Sequence, residues 1–125
     1  MFTGMDQTAI QYHQEHREWL LQLDFYQDQI KTFQNELMLV MQKHADLFNI
    51  IEHVEEYRAI FMKKLQRLDN LRHQIMLHEW QIARQYPTDE PMHTAHVATA
   101  ADLEQFIRDF EHLRNNFRRF AAYND

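Results

Sequence analysis

Nine of the 125 residues are histidines, and no other residue type in the chain carries as much potential chemistry. Neutral imidazole is the commonest protein ligand for zinc, copper, nickel and non-haem iron, and its unperturbed titration falls near neutral pH. His13 and His16 are three residues apart, a spacing that makes them neighbours on a helix face. His93 and His96 repeat that spacing, and His78 stands beside Glu79. The familiar metalloprotein patterns are nevertheless incomplete. His13-x-x-His16 lacks the spacing of the HExxH zinc proteases, and the Glu-x-x-His pair of ferritin-like di-iron bundles does not occur before residue 86. Asp109-Phe110-Glu111-His112 places a carboxylate three before a histidine.

Other catalytic chemistry is poorly served. The chain has no serine and no cysteine, so nucleophile elbows, thiol catalysis, disulfides and thiolate metal sites are excluded. A single glycine leaves no phosphate-cradling loop. Glu52, Glu55 and Glu56 read as a solvated helix face. Met38, Met41, Met62 and Met76 read as core filler, as do Tyr12, Trp19 and Tyr26. No enzyme is expected, and no cofactor unless the histidines take one.

The elements that position these residues follow from the rarity of breakers. One glycine and two prolines allow few turns, so the elements are long and helical. Tyr12, His16, Trp19, Leu23, Tyr26, Ile30, Phe33, Leu37, Val40, His44 and Leu47 recur at alternating spacings of four and three. That is the seam of a helix packed lengthwise on partners, predicted from about Asp6 to Lys43. A second row, Ile10, Leu20, Met41 and Phe48, widens the stripe to suit a bundle. A turn is expected at residues 43–47, with Asp46 as N-cap. A second helix follows over 47–85, on the seam Val54, Tyr57, Phe61, Leu65, Leu68, Leu71, Ile75, His78 and Ile82, and Pro87 stops it. Residues 87–99, with Pro87 and Pro91, are expected to be a linker. Thr99 to Asp102 resembles a capping box, and the third helix is predicted over 100–123 on Leu103, Phe106, Phe110, Leu113, Phe117 and Phe120. The fold class is therefore all-α: one domain, an antiparallel three-helix bundle with a shorter third helix.

Two consequences follow. A third helix of about 24 residues spans about 36 Å, against about 58 Å for each of the others. The tip of the first hairpin, with Leu37, Met38, Met41, Leu47, Phe48, Ile51 and Val54, would then lack cover, and such patches usually mark interfaces. A homodimer formed through that tip is expected. At the other end, the hairpin register gathers His13, His16, His78, His93 and His96, with Glu15, Glu79 and Asp102 nearby.

The run His16 to Ile30, with Trp19 followed by Leu23-Asp24-Phe25-Tyr26, resembles a segment of small, uncharacterised bacterial all-helical proteins. The resemblance implies a helical fold and carries no activity with it.

A net charge of −6 argues against a nucleic-acid partner. No apolar run approaches the length of a membrane span. The start, Met1 to Asp6, lacks the marks of a signal peptide, so a cytoplasmic address is expected. The principal functional expectation is a self-associating structural or interaction module. The alternative is a metal-binding bundle that takes zinc or iron on histidines and carboxylates, in its strong form haemerythrin-like or ferritin-like.

Overall fold

Three helices carry the chain in the computed structural model, which describes residues 7–124: α1 (Gln7–Lys43), α2 (Phe48–Ala83) and α3 (Glu90–Tyr123). The expected start at Asp6 lies outside the described residues. The heptad spacing sets what is buried. On α1, Tyr12, His16, Leu23, Ile30, Phe33, Leu37 and Val40 are buried, while Trp19 and Tyr26 are half-buried against the same core. Val54, Phe61, Leu68, Leu71, Ile75 and Ile82 of α2 face them. Leu103, Phe106, Phe110, Leu113 and Phe117 of α3 close the core. Phe61, Phe110 and Phe117 are fully buried, and the rings of Phe61 and Phe117 meet edge to face at 5.1 Å. Burying each such ring contributes roughly 1.5–3 kcal/mol, which is how weakly amphipathic helices become stable together.

Contacts define the register. Against α2, His16 meets Glu79, Asp24 meets Arg72 at 2.7 Å, and Met41 meets Arg58. Against α3, Glu15 meets His96, Tyr26 meets Phe106, Phe33 meets Phe117, and His44 meets Asn124. Partner numbers fall along α2 and rise along α3.

The turn between α1 and α2 forms without glycine or proline. The His44 amide bonds back to the carbonyls of Val40 and Met41, and the Leu47 amide bonds to the His44 carbonyl. Asp46 is not the N-cap. Leu47 takes that position with extended backbone and no side-chain cap, so the apolar faces of the two helices, rather than capping, stabilise the reversal.

The α2–α3 connection corrects the sequence reading more substantially. Gln85 adopts φ 61°. Its amide bonds to the Ile82 carbonyl at 2.9 Å and the Tyr86 amide to the Gln81 carbonyl at 3.0 Å, a Schellman ending. Asp89 then N-caps α3, its carboxylate accepting from the Met92 amide at 3.2 Å, with Pro91 in the first turn. Residues 90–99 are helix, not linker. Thr99 is no cap but a buried interior residue whose hydroxyl donates to the Ala95 carbonyl.

As a result α3 has 34 residues, close to the 37 of α1 and the 36 of α2. It reaches the hairpin turn, where Nε2 of His44 lies 2.7 Å from the carbonyl oxygen of Asn124. The tip therefore has cover. Leu37 is 4% exposed and Val54 1%, and Met41 and Ile51 are half-buried. Met38, Leu47 and Phe48 remain exposed. Among the described residues, no helix is long and apolar enough to cross a membrane.

Candidate functional site

The end of the bundle opposite the 44–47 turn holds a cluster of imidazoles and carboxylates, to which each helix contributes. His13, Glu15 and His16 come from the second and third turns of α1, His78 and Glu79 from the last turns of α2, and His96 from the second turn of α3. The heptad period turns His16 fully inward, and the helical start at Glu90 turns His96 inward too; they are 0% and 6% exposed.

Each buried imidazole is held by a carboxylate. Nδ1 of His16 lies 2.6 Å from Oε1 of Glu79, whose Oε2 lies 2.6 Å from Nδ1 of His13. Nε2 of His96 bonds Oε2 of Glu15, and Oε1 of Glu15 accepts from Nε2 of Gln11 at 3.1 Å. All four oxygens of Glu15 and Glu79 are thus engaged. On the far side of each ring the position is reversed: Nε2 of His16 and Nδ1 of His96 are buried and have no hydrogen-bond partner. The two ring centroids are 5.1 Å apart. The His96 ring stacks on Tyr12 at 3.9 Å and on Trp19 at 4.7 Å. His78 stands 6.0 Å from His16, centroid to centroid.

Burial favours the neutral form of His16 and His78. Burial pushes His16 below its ordinary value, and the hydrogen bond and charge of Glu79 only partly oppose it. Burial likewise lowers His78, with a smaller contribution from His96. Burial acts to raise Glu15, but the hydrogen bonds from His96 and Gln11 and the charges of His96 and His16 together outweigh it, so its carboxyl lies below the ordinary value. A neutral His16 whose Nδ1–H donates to Glu79 has its lone pair on Nε2, and a neutral His96 whose Nε2–H donates to Glu15 has its lone pair on Nδ1. These are the unpartnered atoms.

Of the five histidines expected here, the structure brings together four. His13 joins through the shared Glu79, while His16, His78 and His96 form the inner group. His93 stays outside it, exposed, with Nδ1 2.8 Å from the Tyr12 hydroxyl. Asp102 is also elsewhere, 3.7 Å from Arg67. Tyr12 and Trp19, which the seam pattern marks as core, also form the wall against which His96 is fixed. Aromatic residues one heptad apart, flanking His16 on the same seam, were the available signal. Among the described residues, no three His, Asp or Glu side chains converge closely enough to hold an ion as they stand. No family model, curated protein or solved structure was found to match this chain.

Proposed function

We propose that this chain is an antiparallel three-helix bundle that binds a divalent transition-metal ion, zinc or iron, between His16 and His96. The residue pairings along α1, α2 and α3 support the antiparallel course. One observation carries the metal reading: Nε2 of His16 and Nδ1 of His96 are buried and unpartnered, while the opposite nitrogen of each ring is fixed by a carboxylate. A metal-ligating histidine characteristically donates its other N–H to a carboxylate, which sets the tautomer and makes the ligand more basic. Leaving a buried polar atom unmet costs about 1–3 kcal/mol. A cluster serving only to fill the core gains nothing from leaving one nitrogen unpartnered on each of two rings whose centroids are 5.1 Å apart. Glu15 and Glu79 together carry the charge that offsets a divalent ion. With all their oxygens occupied they do not bridge two ions, so a single ion is proposed and not the di-iron form. The cytoplasmic address expected from the cysteine-free sequence is kept.

Metal analysis of protein purified without a polyhistidine tag, after exposure to Zn(II) or Fe(II), tests this. One ion per chain is expected, lost in His16→Ala and His96→Ala while helicity by circular dichroism is retained. Sub-stoichiometric metal, unchanged in both variants, would sink the reading and leave a bound water as the partner of the two nitrogens.

A second reading, self-association through apolar helix faces, is supported by Phe48, 74% exposed, beside exposed Leu47 at the turn. Light scattering at micromolar concentration tests it, with a homodimer as the expected species.

A further inference from the structure

Building on the metal-binding reading, we infer that the protein supplies only three ligands, His16 Nε2, His96 Nδ1 and a ring nitrogen of His78, and that the ion keeps a position open to water or a small anion. The inference comes from counting donors. The four carboxylate oxygens nearest the cluster already accept from His13, His16, His96 and Gln11. His13 is engaged with Glu79 on the outer side, where its side chain is about one-third exposed. His93 is tied to Tyr12. What remains is one imidazole from each helix.

His78 is half-buried, with its centroid 6.0 Å from that of His16. It lies near His16 without converging with it as it stands, so the ligand set requires a rotation of the His78 side chain. His16 and His96 are fixed by their carboxylates, so the third ligand is the one that moves.

Three protein ligands with solvent in the fourth position are the mark of a catalytic-type zinc site; structural sites are closed by four. Three neutral imidazoles bring no formal charge to the ion, so among its direct ligands it keeps the double charge that Glu15 and Glu79 offset only from one ring further out. That charge favours an anion, or a water acidified by the metal, in the open position. Tyr12 and Trp19 wall the site beside His96, and the side chains of Glu15, Glu79 and His13 remain partly exposed at its rim. The exogenous ligand admitted is therefore small and monodentate.

Cobalt(II) reports the geometry through its visible absorption. The full chain is loaded with Co(II) and titrated with sodium azide. The expected result is a tetrahedral-type band that shifts on azide addition. His78→Gln should bind Co(II) at least about tenfold more weakly with helicity unchanged. Added imidazole should restore the band in that variant by occupying the vacated position. A band indifferent to azide would mean a closed site and overturn the inference while leaving the metal reading intact. An unchanged Co(II) affinity and spectrum in His78→Gln would overturn the ligand set. Failure of the wild-type chain to take up Co(II), Zn(II) or Fe(II) would instead overturn the metal reading on which the inference rests.

Discussion

Nδ1 of His16, on a ring fully buried in α1, lies 2.6 Å from Oε1 of Glu79 on α2. The bond crosses between helices, and the same carboxylate holds His13 at 2.6 Å. Glu79→Ala removes the acceptor of both rings and leaves a second His16 nitrogen unmet. The expected loss of stability is about 1–3 kcal/mol, measured by urea denaturation of the metal-free protein. Zn(II) affinity should fall by about 10- to 100-fold, measured by competition with a chelating dye. Glu79→Gln keeps an acceptor oxygen for one ring and should fall between the two. Wild-type stability in Glu79→Ala would show that His16 does not depend on this bond.

Stability of the metal-free protein should decline with acidification in two stages. Burial holds His16 and His78 below their ordinary value of 6.5. Below that value the unfolded chain therefore binds more protons than the folded one, and stability falls with pH until the folded-state values are passed. Glu15 also lies below its ordinary value of 4.5. Its contribution is present above that value and is lost as pH falls through the lower folded value. Both stages have the same sign. Urea midpoints measured from pH 8 to pH 3 should be flat near pH 8, drop below about pH 6.5, and drop again below about pH 4.5. A flat profile from pH 8 to pH 5 would mean that the imidazoles take up protons as readily in the fold as in the unfolded chain.

Sequence and structure agree where a single physical rule decides the outcome. The seam from Tyr12 to Val40 is buried, apart from the half-buried Trp19 and Tyr26, because the heptad spacing leaves no other face apolar enough to hide. Residues 90–99 differ from the expected linker because of where Pro91 falls. In the first turn of a helix proline has no intrahelical bond to lose, and Asp89 before it supplies a cap, so the same residues start a helix. The gathering of His16, His78 and His96 was visible from the hairpin register. The sharing of Glu79 by two rings was not, because it depends on the rotation of α1 against α2, which no local spacing encodes. The uncovered tip expected from the sequence depends on the same residues, since the ten helical residues 90–99 are what let α3 reach as far as His44.

Gln85 ends α2 at φ 61°, in the left-handed region where a Cβ crowds the following carbonyl. The Schellman bonds to Ile82 and Gln81 hold it there. Glycine adopts this conformation without the steric cost. Gln85→Gly should therefore stabilise the protein by about 1 kcal/mol, less what glycine adds to the entropy of the unfolded chain. A rise of a few degrees in the thermal midpoint, about 4 °C, is the expected observation. A lower midpoint would show that the Gln85 side chain contributes more than its backbone conformation costs.

The tip residues separate self-association from folding. Leu37 is 4% exposed and belongs to the main core, whereas Phe48 is 74% exposed at the start of α2. Leu37→Glu forces a carboxylate into that core and should cost several kcal/mol, enough to unfold a marginally stable domain. It reports on folding and says nothing about association. Phe48→Glu exchanges one exposed side chain for another and should change the unfolding free energy of the monomer by no more than about 0.5 kcal/mol. If Phe48 packs against a second copy, the same substitution dissociates that assembly, and the light-scattering mass falls to that of one chain while the circular dichroism spectrum is unchanged. A dimer that persists in Phe48→Glu would place the contact on another face. A Phe48→Glu protein that unfolds would mean that the ring is covered in the folded chain itself.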